Sequence, residues 1–169
     1  MSEFIGELIT MDLPDGRKKV ILFDFAFANA TGAIWPAFRG DVIDGATIPK
    51  WAWSIFGSPY CGKYRRAAAL HDTAYMYQLR GRKLADEMLS EAACEDGCKN
   101  STCWILERAV RNFGQTYWDD MDQGDRKTDW IPAGIMEVQS DILIPDMYKE
   151  AMVFLRTETE EAWAQLAIK

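Results

Sequence analysis

Two kinds of periodicity divide the chain near Pro49. Phe4 to Thr10 and Val20 to Phe27 are rich in β-branched and aromatic residues, and Leu13-Pro14-Asp15-Gly16 between them supplies turn chemistry, which predicts a hairpin. Asn29-Ala30-Thr31-Gly32 marks a second turn. Gly32 to Ile43 is interrupted by Pro36, which has no N–H for a central ladder, and reads as short or edge strands. Beyond Pro49 the spacing lengthens to that of helices. Pro49 suits the first turn of a short helix carrying Trp51, Trp53, Ile55 and Phe56 and stopping at Gly57. Tyr64, Ala68, His71 and Tyr75 fall three and four apart, predicting a helix over 64–79 that Gly81 ends in a left-handed conformation. Ala85, Met88, Leu89 and Ala92 form the stripe of a second helix over 84–94, and 104–113 gives a third. Met147, Ala151, Phe154, Leu155, Trp163 and Leu166 give a terminal amphipathic helix.

The fold class that follows is α+β: a small N-terminal antiparallel β-meander packed on a mainly helical layer, with a C-terminal amphipathic helix. Residues 1–116 are expected to form the core domain, 117–144 an acidic irregular segment and 145–169 a helical extension. A chain of 169 residues, 49% hydrophobic and 27% charged, can bury a core of that size.

Charge narrows the partners. The net charge of −7 argues against a nucleic-acid groove, because phosphate binding rests on Lys and Arg neutralising the backbone. Lys63-Tyr64-Arg65-Arg66 and Arg80-Gly81-Arg82-Lys83 are local exceptions, read as solvated helix ends rather than a phosphate grip. Met1 to Glu7 has neither the basic start nor the apolar run of a signal peptide, and no stretch approaches the roughly 20 apolar residues of a membrane span. Synthesis in a cytoplasm is the expectation. Seven tryptophans are more than one small core absorbs, which predicts an exposed apolar patch and a protein partner or homo-oligomer.

Several chemistries drop out. Cys94, Cys98 and Cys103 match neither paired zinc ligands nor a disulfide framework, so reduced, half-buried thiols are expected, although Cys94 and Cys98 stand i, i+4. Asp119, Asp120, Asp122 and Asp125 lack the order and closing Glu of a calcium loop. There is no GxSxG and no phosphate loop. A Cys-His nucleophile pair using Cys61 has no supporting motif. His71 is the sole histidine, which excludes zinc sites with two or three His ligands and phosphohydrolases that add further histidines to a His-Asp pair.

What remains is Ala67-Ala68-Ala69-Leu70-His71-Asp72-Thr73-Ala74-Tyr75, which is either a packed helix with a hydrogen-bonded core histidine or a site. Asp44, in Asp44-Gly45-Ala46-Thr47-Ile48-Pro49, is a second candidate: Gly45 permits a tight turn that would aim the carboxylate at His71, while the plainer use is a turn or helix cap. These segments, with Phe56-Gly57-Ser58-Pro59, Arg66-Ala67-Ala68 and Ala85-Asp86, resemble an uncharacterised family common in tailed phages and prophages, DUF1353. Its pattern is D-G-A-S/T-I-P, G-P-P, R-A-A-x-x-H-D-x-x-Y and A-D. The match covers roughly residues 10 to 115, departs at Ser58 where the family often has Pro, and implies a phage or prophage context without an activity.

The same residues are similar to the core of phospholipase A-two enzymes, especially the version in parvovirus capsid proteins. That resemblance implies His71 as general base, Asp72 as calcium ligand, Tyr75 as support and Asp86 as the carboxylate that orients His71. Calcium is the cofactor it implies and membrane lipid the substrate. A division of labour between His71 and Asp72 is physically coherent, since neighbouring helix residues project about 100° apart. Tyr60 to Tyr64, however, offers one glycine and a lysine where those enzymes have a glycine-rich loop. If the helices break around Arg80 to Arg82, His71 lies about 12 Å before the turn and Asp86 about 5 Å after it. Asp86 then falls nearer the level of Tyr75, and the dyad forms only with a late second helix or an extended loop.

Two functions from different classes fit. One is a virion, tail or host-interaction protein in which His71, Asp72, Tyr75 and Asp86 form a buried polar knot. The other is a small ester hydrolase with His71 as base.

Overall fold

The computed structural model describes residues 1–45 and 62–120, together with the helical residues Glu150, Val153, Phe154 and Thr157. Six strands come first: β1 (Glu3–Ile5), β2 (Thr10–Asp12), β3 (Lys19–Ile21), β4 (Phe25–Ala28), β5 (Ile34–Ala37) and β6 (Val42–Ile43). Four helices follow among the described residues: α1 (Arg65–Tyr77), α2 (Arg82–Glu95), α3 (Asn100–Phe113) and α4 (Gln115–Asp119). The α+β class is as the sequence pattern implies.

The strands form two small antiparallel sheets instead of a single meander, in the orders β1-β4-β5 and β2-β3-β6. The expected hairpin across Leu13 to Gly16 is present as β2 and β3, with Thr10 opposite Ile21 and Asp12 opposite Lys19. Each of the two long apolar runs is broken in the middle. Gly6, at φ 77°, ends β1, and Leu22 to Asp24 separates β3 from β4. A strand that changes direction at such a break can pair with different partners on its two sides. Pro36 lies on β5, an edge strand opposite Ala26, where its missing N–H leaves no ladder bond unmade.

Helix α1 is the centre of the molecule. Every residue from Ala67 to Tyr77 is buried, and Ala67, Ala68, Ala69 and Ala74 let α2 and the β4-β5 face approach its backbone closely. Phe25, Phe27, Leu70, Met88, Leu89 and Leu106 fill the space between sheet and helices. A helix buried all round must satisfy any polar side chain internally. Thr73 does so by donating to the carbonyls of Leu70 and Pro36 at 3.0 and 3.2 Å.

Three sequence expectations are corrected. Gln78, at φ 50°, is the left-handed residue that ends α1, while Gly81 has an extended φ of −61° and precedes α2. Helix α2 starts at Arg82, earlier than its apolar stripe suggests, because the stripe marks only the buried face. Helix α4 follows α3 directly after Gly114. Cys94 and Cys103 are joined in a disulfide, with Cα atoms 5.8 Å apart, leaving Cys98 as a free thiol among the described residues. The tight connection after α2 places the end of one helix beside the start of the next, a proximity that spacing along one helix does not reveal. The Pro49 helix, Cys61, and most of the acidic segment and terminal helix lie outside the described residues.

Candidate functional site

Helices α1 and α2 meet through one carboxylate. Asp86, in the second turn of α2, is fully buried, as are His71 and Tyr75 on α1. Asp86 Oδ1 lies 3.1 Å from His71 Nε2 and accepts the Tyr75 hydroxyl at 2.7 Å. Asp86 Oδ2 accepts from Arg82 at 2.9 Å. Because Asp86 is the acceptor, the ring proton sits on Nε2 in the neutral tautomer this pair favours. The imidazole and phenol rings lie against each other, with centroids 4.3 Å apart.

Counting Cα levels along the two helices placed Asp86 near Tyr75 and out of reach of His71. Tyr75 does meet Asp86, and His71, one turn earlier, reaches the same oxygen. Axial levels leave out side-chain length, and alanines at the α1–α2 contact bring the helices close enough for both rings to span the gap.

Asp72 is almost fully buried and accepts the Gly45 N–H at 2.7 Å. Asp44 itself forms a partly exposed ion pair with Arg17, at 3.4 Å. The Asp44-Gly45 segment thus touches the site helix through a backbone donor. Asp72 brings one carboxylate, with an oxygen already engaged by Gly45, whereas calcium takes six to eight oxygens. Among the described residues no group of three or more His, Cys, Asp or Glu side chains is arranged to hold a metal ion. The described donor set does not fit calcium.

Electrostatics favour a neutral ring. Burial pushes the His71 pKa down, the Asp86 hydrogen bond and charge push it back up, and the Arg82 cation adds to the lowering. Burial, then the Asp86 hydrogen bond, hold the Tyr75 hydroxyl far above its ordinary range, so it remains a donor. At neutral pH the site therefore contains an uncharged base beside a carboxylate.

Sequence reasoning missed two members. Arg82 was read as a solvated helix end. Its signal is that a cation in the first turn of a helix opposes the helix dipole, and α2 has no acidic residue there to offset it. Gly114 was not singled out in the sequence. A Cβ at that position would run into the Tyr75 hydroxyl and the Val110 carbonyl oxygen. The α3–α4 corner also brings Trp118 edge-on to Tyr75, with centroids 4.9 Å apart, and its carbonyl accepts from Gln78 at 2.7 Å. Gly114→Ala is expected to destabilise the fold by about 2 kcal/mol, read from the urea midpoint, because one neighbour is backbone and cannot rotate away. A variant as stable as the parent would show that the corner is loose.

With this geometry in place, comparison with known proteins adds a family. A family model described as "Protein of unknown function (DUF1353)" matches residues 20–110, more than half of the chain. The chain belongs to the DUF1353 family. All four residues of the buried network, His71, Tyr75, Arg82 and Asp86, lie inside the DUF1353 match, and so do Asp44 and Asp72. The "Uncharacterized protein y4jT" of Sinorhizobium fredii (strain NBRC 101917 / NGR234) is 40% identical over 63 residues, which is 37% of this chain and 18% of that protein. The "Uncharacterized protein y4iH" of the same strain is 27% identical over 124 residues, 73% of this chain and 52% of that protein. The DUF1353 chain thus spans about a fifth and about half of the length of these two relatives. No solved structure matches it. Among the described residues no helix is long and apolar enough to cross a membrane.

Proposed function

We propose that the chain is a hydrolytic domain of a phage or prophage protein, in which His71 acts as general base to turn water against an ester, with membrane lipid as one candidate substrate. The observation that carries this reading is the shared carboxylate, on which His71 Nε2 and the Tyr75 hydroxyl converge. With Nε2 turned toward Asp86, this reading assigns the role of base to Nδ1, the ring's second nitrogen. Water oxygen bonds to the acyl carbon as its proton passes to Nδ1. The same proton then goes to the leaving alkoxide oxygen as the ester C–O bond breaks. Asp86 fixes the tautomer and offsets the imidazolium charge, and Tyr75 holds Asp86 in place. No step is routed through a metal.

One observation favours a second reading. His71, Tyr75 and Asp86 are completely enclosed, as a polar knot clamping α1 to α2 would be. On that reading the chain is a virion, tail or host-interaction component made in the host cytoplasm. Exposed Trp104 and Phe113 would then be the contacts for a protein partner or a second copy.

Hydrolysis of phospholipid vesicles and of p-nitrophenyl esters, with and without calcium, separates the two. The parent is expected to turn over at least one ester class, and a folded His71→Gln variant to lose at least about a hundredfold in kcat. A folded parent inert toward both classes in both conditions leaves the knot.

A further inference from the structure

Arg82 is placed where local rules disfavour it. It is the first residue of α2, followed by Lys83, at the positive end of the helix dipole and with no acidic side chain in the first turn. A residue that breaks a local rule is held there by something tertiary. Arg82 has two such anchors on one nitrogen. Its NH1 donates to Asp86 Oδ2 at 2.9 Å and to the carbonyls of Val110 and Arg111 at 3.3 Å each. Those carbonyls lie in the last turn of α3, where the dipole favours a cation, and Val110 O accepts from Arg82 in addition to the Gly114 N–H. The guanidinium therefore trades the wrong end of one helix for the right end of another.

Resting on the reading of His71 as base, we infer that Arg82 is a positioning residue, which ties the orientation of the Asp86 carboxylate to the end of α3. Asp86 has two oxygens with separate duties. Oδ1 faces the ring and the phenol, and Oδ2 faces Arg82. Without a donor on Oδ2 the carboxylate is free to turn about its last torsion, and the in-plane approach of Oδ1 to Nε2 is lost. The corner that follows α3 sets Tyr75 through Gly114 and Trp118, so one end of α3 governs both supports of the base. Lysine is a poor replacement, because its stem ends one bond short of the NH1 position that spans the carboxylate and the α3 carbonyls, and its ammonium is a flexible, strongly hydrated point charge.

Among the described residues the charged and titratable groups around this point are few. Helix α1 presents His71, Tyr75 and Asp72, the last engaged by Gly45, and α2 presents Asp86. Helix α3 presents Arg111, whose guanidinium is taken up by Glu87 and Glu107 at 3.3 and 3.0 Å. None of these replaces Arg82 on Oδ2.

The sole histidine makes the test direct, since every imidazole signal in a nitrogen-15 NMR spectrum belongs to His71. Arg82→Lys is expected to speed solvent exchange of the Nε2 proton at least about tenfold while the melting curve stays cooperative. Arg82→Gln, which also removes the charge, is expected to raise the pH of half-protonation of His71 by about one unit. If the parent hydrolyses an ester, Arg82→Lys lowers kcat and leaves KM in place. A folded Arg82→Lys variant with the parent's exchange rate overturns the inference, whatever Arg82→Gln does. Failure of both variants to fold also overturns it, leaving Arg82 as a structural clamp alone. Because exchange is read without substrate, an inert parent defeats the hydrolase reading and leaves this result standing by itself.

Discussion

Asp86→Ala is expected to cost about 3–5 kcal/mol of folding free energy, the largest single effect at any polar position among the described residues. The carboxylate is fully buried and is the shared acceptor for His71, Tyr75 and Arg82. Its removal leaves His71 and Tyr75 as neutral donors in an apolar interior, each without the Asp86 acceptor, while the partly exposed Arg82 keeps the Val110 and Arg111 carbonyls. Asp86→Asn keeps one acceptor oxygen of nearly the same shape, so its cost is expected to be clearly smaller, at about half. Urea unfolding of the two variants against the parent measures both numbers. Equal and small losses would mean that the network is hydrated and that neither proposed role for it holds.

The second large effect is a loss of stability in acid that depends on a single ring. Burial lowers the pKa of folded His71, and the unfolded chain takes up its proton near the ordinary imidazole value of 6.5. Between the two midpoints the unfolded state binds more protons, so stability rises with pH there. The contribution is fully present above about pH 6.5 and is lost as the pH falls toward the folded-state midpoint. While only the unfolded chain takes up the proton, the slope is about 1.4 kcal/mol per pH unit. His71→Gln is expected to remove that slope while leaving the background from carboxylates. Urea midpoints taken from pH 7.5 down to 4.5 decide it: parallel curves for parent and variant would show that the folded ring titrates normally. No second histidine confuses the comparison.

These two expectations meet in one pair of residues, and the pair illustrates how legible the chain is. His71, Asp72 and Tyr75 stand out because local spacing suffices to set them on one helix. Asp86 was named as the partner, yet counting along helix axes argued against contact, since that count has no term for how closely alanines allow two helices to approach. Arg82 lay in a basic cluster whose sign alone suggested solvent. The carbonyls that hold it belong to Val110 and Arg111, 28 and 29 residues on. Asp44 offered two uses, a carboxylate aimed at His71 or, more plainly, a turn or helix cap, and nothing in its sequence context marked the Gly45 N–H that reaches Asp72.

By itself the sequence determined the α+β class, the hairpin across Leu13 to Gly16, the edge character of the Pro36 strand and the buried stripe of each central helix. These follow from residue chemistry acting within one or two turns of chain, where periodicity and turn residues are the physics. Tertiary structure alone decided the division of six strands into two sheets, the Cys94–Cys103 bridge, the left-handed stop at Gln78 and the convergence of three side chains on Asp86. Each of those depends on how closely separate segments pack and on which donors have lost water. Only the folded chain sets those two quantities.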